Sequence, residues 1–246
     1  MAGTASYGVF AHARALMQIL TKGEQGALAS FLDYHLVRRK FIMSRACEHF
    51  SRDKHEPAPL LGLSLLDVGC GTSRLAEELC FRGADCTAID VNITVLEHAE
   101  HQANEKGSTV QFLKSTAEDL VQTGATFDII LCLDVIEHVP DAQRLVWAIS
   151  RLLAPGGLVV FSTISRTPKA WLYMIAVGEY VLGWFPRGYS AFRRFRSPGD
   201  MTSLFAKNTL EVQHLTGLSF NPITLAWEKT DDLTIRYAGT ASRPQG

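Results

Sequence analysis

The sequence predicts a doubly wound α/β domain, a mostly parallel sheet with helices on both faces, and three observations predict it. Five short apolar runs, "LSLLDVGC", "DCTAIDV", "VQFLKS", "FDIILCL" and "GLVVFSTI", alternate with helical stretches near 74–82, 94–106 and 141–153. Strands that alternate with helices in this way build βαβ units. The runs are apolar at most positions, as strands covered on both faces are. The first run passes through a glycine-rich turn directly into a helix, and the second ends on an acid, Asp90.

The remaining elements follow in order. Residues 27–50, "ALASFLDYHLVRRKFIMSRACEHF", contain no Pro or Gly and repeat apolar residues at helical spacing, which predicts a helix ending before Pro57. The chain therefore divides into an N-terminal helical extension, 1–60, and a larger domain, 61–246. An insert at 166–200 follows the fifth run. Beyond it come a helix near 198–207 and two β-rich stretches, 211–220 and 233–242.

A chain of 246 residues with 47% hydrophobic content supports one sizeable core, since single domains run to roughly 200–250 residues before they split. A net charge of −1 points away from nucleic acid as a partner. The charge is unevenly spread: between Ala142 and Gly199 the only acid is Glu179, while Arg187, Arg193, Arg194 and Arg196 crowd the end of the insert. The five cysteines are odd in number and form no CxxC pair, as expected of packing residues in a reducing compartment. The N-terminus has no acid before Glu24 and carries Arg14 and Lys22, a faint presequence-like bias. No apolar run approaches the ~20 residues of a spanning helix.

The chemistry lies where the first two runs end. Gly69 and Gly71 let the backbone approach a ligand closely at the carboxyl edge of the sheet. Asp90, at the end of the second run, has the geometry to accept two hydrogen bonds from ribose hydroxyls. A dinucleotide site asks for a third Gly three positions after Gly71, to seat a pyrophosphate on the helix N-terminus. Arg74 stands there instead.

"DVGCG" resembles motif I of the class I S-adenosylmethionine-dependent methyltransferases. "STAEDL", with Ala117 and Glu118 placed by the adenine, "FDIILCLDVIEHV" and "LLAPGGLVVFST" continue that family's pattern in order. The resemblance implies a Rossmann-like, mostly parallel seven-stranded sheet and S-adenosylmethionine as cofactor. Over roughly 35–240, "CLDVIEHVPD", "STISRTPKAWLYMIAVGEYVLGWFPRG" and "LTGLSFNPIT" resemble the ubiquinone-biosynthesis O-methyltransferases, which act on catechol hydroxyls of polyprenylated rings.

That second resemblance carries sites. It places Arg38, Gly69, Asp90 and Leu133 at the cofactor, with Gly71 and Glu118 beside them; a guanidinium at Arg38, with Arg39 beside it as the alternative, suits the methionine carboxylate. It sets Asp134, Glu137 and His138 where the family carries Glu, Glu and His. Two readings of that trio stand. Either the three hold a divalent cation, Mg²⁺, that lowers the catechol pKa, or a carboxylate or His138 acts as general base without metal. A plainer reading, in which Glu137 and His138 only open the next helix, stands beside them. The chain departs from the family in its "GCGTS" turn, in Asp134 where Glu is usual, and in lacking an aromatic "WWD" element near its N-terminus.

The insert "KAWLYMIAVGEYVLGWFPRGYSAFRRFR" combines residues that settle at a headgroup layer, Trp171, Tyr173, Tyr180, Trp184 and Phe185, with four arginines and no acid after Glu179. It is expected either to rest on a membrane as an interfacial segment or to cap the substrate pocket. The resemblance implies as partners a polyprenylated catechol or quinol, a membrane surface and other ubiquinone-biosynthesis proteins. It implies a peripheral position on an inner membrane, the mitochondrial matrix face in a eukaryote or the cytoplasmic face in a bacterium. Two other readings are a methyltransferase for another amphipathic small molecule and a catalytically weak, cofactor-binding membrane component of a biosynthetic complex.

Overall fold

Buried strands fix the architecture, and in the computed structural model they form one twisted sheet. The structure describes residues 33–172, 192–221, 224 and 226–244. Helix α1 spans 33–49 within the described residues. Then follow β1 (Ser64–Val68), α2 (Arg74–Cys80), β2 (Asp85–Asp90), α3 (Ile93–Glu105), β3 (Gln111–Lys114), α4 (Ala117–Leu120), β4 (Phe127–Leu133), α5 (Ala142–Leu152) and β5 (Leu153–Ile164). The chain continues through α6 (Pro168–Trp171), α7 (Pro198–Ala206), β6 (Glu211–Asn221), β7 (Ala226–Thr230) and β8 (Arg236–Ser242).

The strand order is β3-β2-β1-β4-β5-β8-β6-β7. The first five strands pair in parallel, whereas β8 lies antiparallel between β5 and β6. The expected doubly wound sheet is present, with one difference: eight strands are described where the resemblance implies seven. The additional strand is β7, whose five residues pair antiparallel with the last half of β6, from Gly217 opposite Thr230 to Asn221 opposite Ala226. "AWEKT" is too short and too polar to stand out along the sequence; it becomes a strand because β6 leaves an edge beside it.

Alternation of side chains across the sheet divides the core in two. Leu66, Ile130, Val159 and Phe161 point to the face covered by α5 and α7. Leu65, Ile129, Leu131 and Val160 point to the other, where α1 and α2 pack. Helix α1 presents Tyr34, Arg38, Phe41, Ile42 and Ala46, one face of a 3.6-residue period, to that second layer. Each fully buried Leu or Ile stabilises the fold by roughly 1.5–3 kcal/mol. Polar caps set the helix starts: Asn92 accepts from the Thr94 and Val95 amides, Asp141 from Arg144, and Ser197 and Asp200 form a reciprocal capping box on α7.

Every residue of β8 is buried, which leaves no room for a side chain at its middle. A Cβ on Gly239 would meet the Phe161 ring at 2.6 Å and the His214 carbonyl at 2.7 Å. Gly239→Ala is therefore expected to cost about 1–3 kcal/mol through overpacking, read as a lowered Tm in thermal unfolding; an unchanged Tm would show that β8 packs more loosely than described.

Candidate active site

The carboxyl ends of β1 and β2 are knit by backbone bonds. The amides of Gly69 and Cys70 both donate to the Ile89 carbonyl, at 2.8 and 3.0 Å. Gly69 and Gly71 have φ of 65° and 54°, in the left-handed region that glycine enters without strain. A Cβ at Gly69 would lie 2.7 Å from Val135 Cγ2, so this position is closed to other residues by conformation and by space. The Asp90 carboxylate accepts from the Gly71 amide at 3.1 Å and from the Asn92 amide at 2.9 Å. It thus ties the two turns together, and its remaining lone pairs stay available. Glu118 is half-buried in the first turn of α4, after β3, and Leu133 closes β4 opposite Ser162.

The residue after Leu133 is the junction of the whole site. Asp134 adopts φ 57°, and its amide donates to the Ser162 carbonyl at 2.9 Å. Its Oδ1 accepts from the Ser162 hydroxyl at 2.9 Å. Its Oδ2 accepts from Tyr34 at 3.0 Å, Arg38 Nη1 at 2.9 Å and Arg236 Nη1 at 3.0 Å. Arg236 Nη1 also donates to the Tyr34 hydroxyl at 2.7 Å. Both guanidinium carbons lie within 5 Å of the Tyr34 ring centre, Arg38 at 4.4 Å and Arg236 at 4.9 Å, a range in which the ring face attracts a cation. Burial opposes the Asp134 charge, but Arg236, Arg38, Ser162 and Tyr34 outweigh it and hold the carboxyl below the usual carboxylate range.

Four separate parts of the chain supply this cluster, and the "GLSFNP" element explains how one of them reaches it. Its residues Gly217 to Asn221 end β6 and turn into β7, with the Asn221 amide side chain donating to Glu228 at 2.9 Å. The hairpin brings Trp227 to 4.6 Å from the Tyr34 ring and lets the Trp227 amide donate to Asp33. Helix α1 is clamped between this hairpin and Asp134. Pro222 lies outside the described residues.

Glu137 is the second carboxylate, 3% exposed. Its Oε2 accepts from the Thr163 hydroxyl at 2.8 Å, while Oε1 is buried without a hydrogen-bond partner. Burial, then the Asp134 charge, raise its pKa from 4.5 to about 7, against the Thr163 bond and Arg236. Asp67, one strand away, is likewise pushed up by burial to about 7. His138 sits at the surface, held below the usual histidine range by partial desolvation and by Arg194 and Arg236.

The sequence-predicted residues lie along this sheet edge. The cation site, one of the two readings of Asp134, Glu137 and His138, finds no support in their arrangement. Both oxygens of Asp134 are occupied by donors, two of them guanidinium groups that repel a second cation. Among the described residues no group of three His, Cys, Asp or Glu side chains is arranged to hold a metal ion. Arg38 is where it is expected, its Nε buried without a partner, although its Nη1 is turned to Asp134. Tyr34, Asp67, Ser162, Thr163 and Arg236 escape sequence reasoning. The signals are faint: Tyr34 lies four residues before Arg38, on one helix face, and Arg236 is a charge opening the otherwise uncharged "RYAGTAS".

Residues 66–161 match the family model described as a methyltransferase domain. Solved structures with this fold include magnesium protoporphyrin IX methyltransferase from Synechocystis with bound S-adenosylhomocysteine, 18% identical, covering 86% of this chain and 84% of its own, with a TM-score of 0.60. An S-adenosylmethionine-dependent methyltransferase from Clostridium acetobutylicum is also 18% identical, covering 84% of this chain and 91% of its own, with a TM-score of 0.62. Fold and site thus define an S-adenosylmethionine-dependent methyltransferase of the class I type. The ubiquinone biosynthesis O-methyltransferase of Brucella anthropi is 34% identical over 89% of each chain. That of Rhizobium johnstonii is 36% identical over 86% of this chain and 85% of its own. The chain belongs to the ubiquinone biosynthesis O-methyltransferase family.

The raised carboxyls have a consequence for stability. A group whose pKa is higher in the folded state contributes stability below its unfolded value that is lost as pH rises through the folded value. For Glu137 that window runs from about 4.5 to 7, and the full loss is on the order of 3 kcal/mol. Glu137→Gln should flatten the fall in unfolding free energy between pH 5 and pH 8, measured by urea denaturation; an unchanged slope would mean that Glu137 is not charged at a buried site.

Proposed function

We propose that the chain transfers a methyl group to a catechol hydroxyl of a polyprenylated ubiquinone precursor, at the surface of a membrane. The observation that carries this reading is the buried Glu137 carboxyl, set beside Asp134 at the same sheet edge as the Gly69–Asp90 turn. Bound S-adenosylmethionine supplies the electrophilic methyl of a sulfonium. The residues present fit that cofactor: Gly69 and Gly71 carry no side chain in the turn, Asp90 retains acceptor capacity for ribose hydroxyls, and the Arg38 Nε–H is buried without a partner. Leu133 and Glu118 flank the same edge.

A phenol is mostly protonated at neutral pH and is a poor nucleophile. Glu137, with its pKa raised to about 7, is matched to take that proton near neutrality; its free Oε1 is the accepting atom, and Thr163 fixes the carboxyl plane through Oε2. Asp134 plays a different part. Held ionised between Arg38 and Arg236, it orients them and, by its charge, keeps Glu137 basic. His138, at the rim, is suited to passing the proton on to solvent. Transfer is then a displacement in which positioning provides much of the rate.

The membrane reading rests on the flanks of the insert. Residues 173–191, which include Tyr173, Tyr180, Trp184, Phe185 and Arg187, lie outside the described residues. On one side Trp171 and Leu172 are 45% and 55% exposed; on the other Arg193 and Arg194 are exposed. No helix among the described residues is long and apolar enough to cross a membrane, so attachment would be peripheral, through interfacial aromatics and about 1 kcal/mol per Arg near anionic lipid. Such attachment suits an insoluble polyprenylated substrate, at the matrix face of the mitochondrial inner membrane or the cytoplasmic face of a bacterial one.

Incubation with methyl-labelled S-adenosylmethionine and short-chain prenyl catechols should label the catechol oxygen, and label transferred only to carboxyl or amine acceptors would reject the reading. Asp90→Ala should weaken cofactor binding by about 2 kcal/mol, near thirtyfold in Kd by calorimetry; unchanged affinity would remove Asp90 from the site. In vesicle flotation, replacing Arg193 and Arg194 with Gln should weaken binding to anionic vesicles and lessen its salt sensitivity. Intact protein that stays with the soluble fraction on anionic and neutral lipid alike would sink the membrane reading.

A further inference from the structure

Arg236 is the one charged side chain of β8, and nothing in the reaction as derived so far requires it. It is 9% exposed and raised further above the ordinary arginine range, burial opposing the shift and Asp134 and Tyr34 producing it. Only one of its nitrogens, Nη1, makes the bonds to Asp134 and Tyr34, and its Nε is buried without a partner. Arg38 is in the same condition on the other side of Asp134. A buried donor without an acceptor is unfavourable, and an oxyanion placed against Arg236 would satisfy it.

Two guanidinium groups, Arg38 and Arg236, face the one carboxylate of Asp134. A phenolate formed beside Glu137 needs a positive charge. A divalent cation would serve, but its place against Asp134 is taken by Arg38 and Arg236.

We propose that Arg236, fixed by Asp134 and Tyr34, is the resident cation of this site and stabilises the substrate oxyanion in place of a divalent metal ion. The inference rests on the O-methyltransferase reading above. The step balances: the hydroxyl proton passes to Glu137, the oxygen forms a bond to the methyl carbon as the carbon–sulfur bond breaks, the sulfur keeps the electron pair, and Glu137 returns its proton to solvent. Arg236 gains and loses no atoms; it supplies an N–H and a charge that cost no reorganisation.

Three readouts test it. Turnover of the native protein on a short-chain catechol should be unchanged in excess chelator, and Mn²⁺ followed by electron paramagnetic resonance should show no tight binding. Arg236→Gln should lower kcat at least a hundredfold with Kd for S-adenosylmethionine within threefold of native, Arg236→Lys should recover part of the loss, and free guanidinium should rescue Arg236→Ala. Chelator-sensitive turnover restored by Mg²⁺, or tight Mn²⁺ binding lost in Glu137→Gln, would overturn the proposal. So would an Arg236→Gln enzyme of native kcat, or a loss that neither lysine nor guanidinium recovers. If the native protein labels no catechol at all, the functional reading fails, and Mn²⁺ binding alone decides whether the site holds a metal.

Discussion

The carboxylate of Asp134 is the point on which the site depends. It joins the end of β4 to α1 through Tyr34 and Arg38, to β5 through Ser162 and to β8 through Arg236. Sheet pairing also joins β4, β5 and β8 but stops where the strands end, and α1 is held to β5 and β8 by packing and by the His49–Gly156 and Tyr34–Arg236 hydrogen bonds. A buried carboxylate is expensive by itself, and so is a buried guanidinium; each is tolerated because the other is there. Removing one partner of such a group costs about 3–5 kcal/mol, because the remaining charges are left unpaired in a medium that solvates them poorly. The arrangement therefore fixes geometry more than it adds stability. The left-handed backbone at Asp134 lets the chain leave β4 with its side chain turned toward the two arginines.

From that constraint the division of labour among the acids follows. Asp90 is satisfied by two backbone amides and shapes the turn. Asp134 is surrounded by cations and stays ionised. Glu137, three residues on, has one hydroxyl donor and only Arg236 to oppose the rise, so burial and the neighbouring charge raise its pKa. Three carboxylates at one sheet edge thus acquire three roles from their surroundings alone. The hairpin of β6 and β7 matters for the same reason: by packing Trp227 against the tilted Tyr34 ring it holds α1 in place, and α1 carries the arginine expected at the cofactor.

Local pattern was legible in the sequence, and long-range partnership was not. The five parallel strands are read correctly because burial on both faces writes a nearly continuous apolar run. Gly69 and Asp90 are legible because a strand end followed by a tight turn admits few residue types. Strand β7 is not legible, since five residues of which none is buried become a strand only against the edge of β6. Arg236 and Tyr34 stand 202 positions apart and meet at 2.7 Å; no spacing rule links them. The Mg²⁺ reading lacks support for the same reason. Asp134, Glu137 and His138 are close along the chain, but the two guanidiniums that claim Asp134 come from α1 and β8.

Hydrogen exchange resolved along the chain tests the role of Asp134 most directly. In Asp134→Asn, which keeps the shape of the side chain and removes its charge, the account predicts that amides of α1 and β7 exchange at least tenfold faster, while those of β1 and β4 keep their native protection. Native protection throughout α1, or an equal loss across all strands, would contradict the claim that this carboxylate holds the N-terminal helix and the C-terminal hairpin to the end of the sheet.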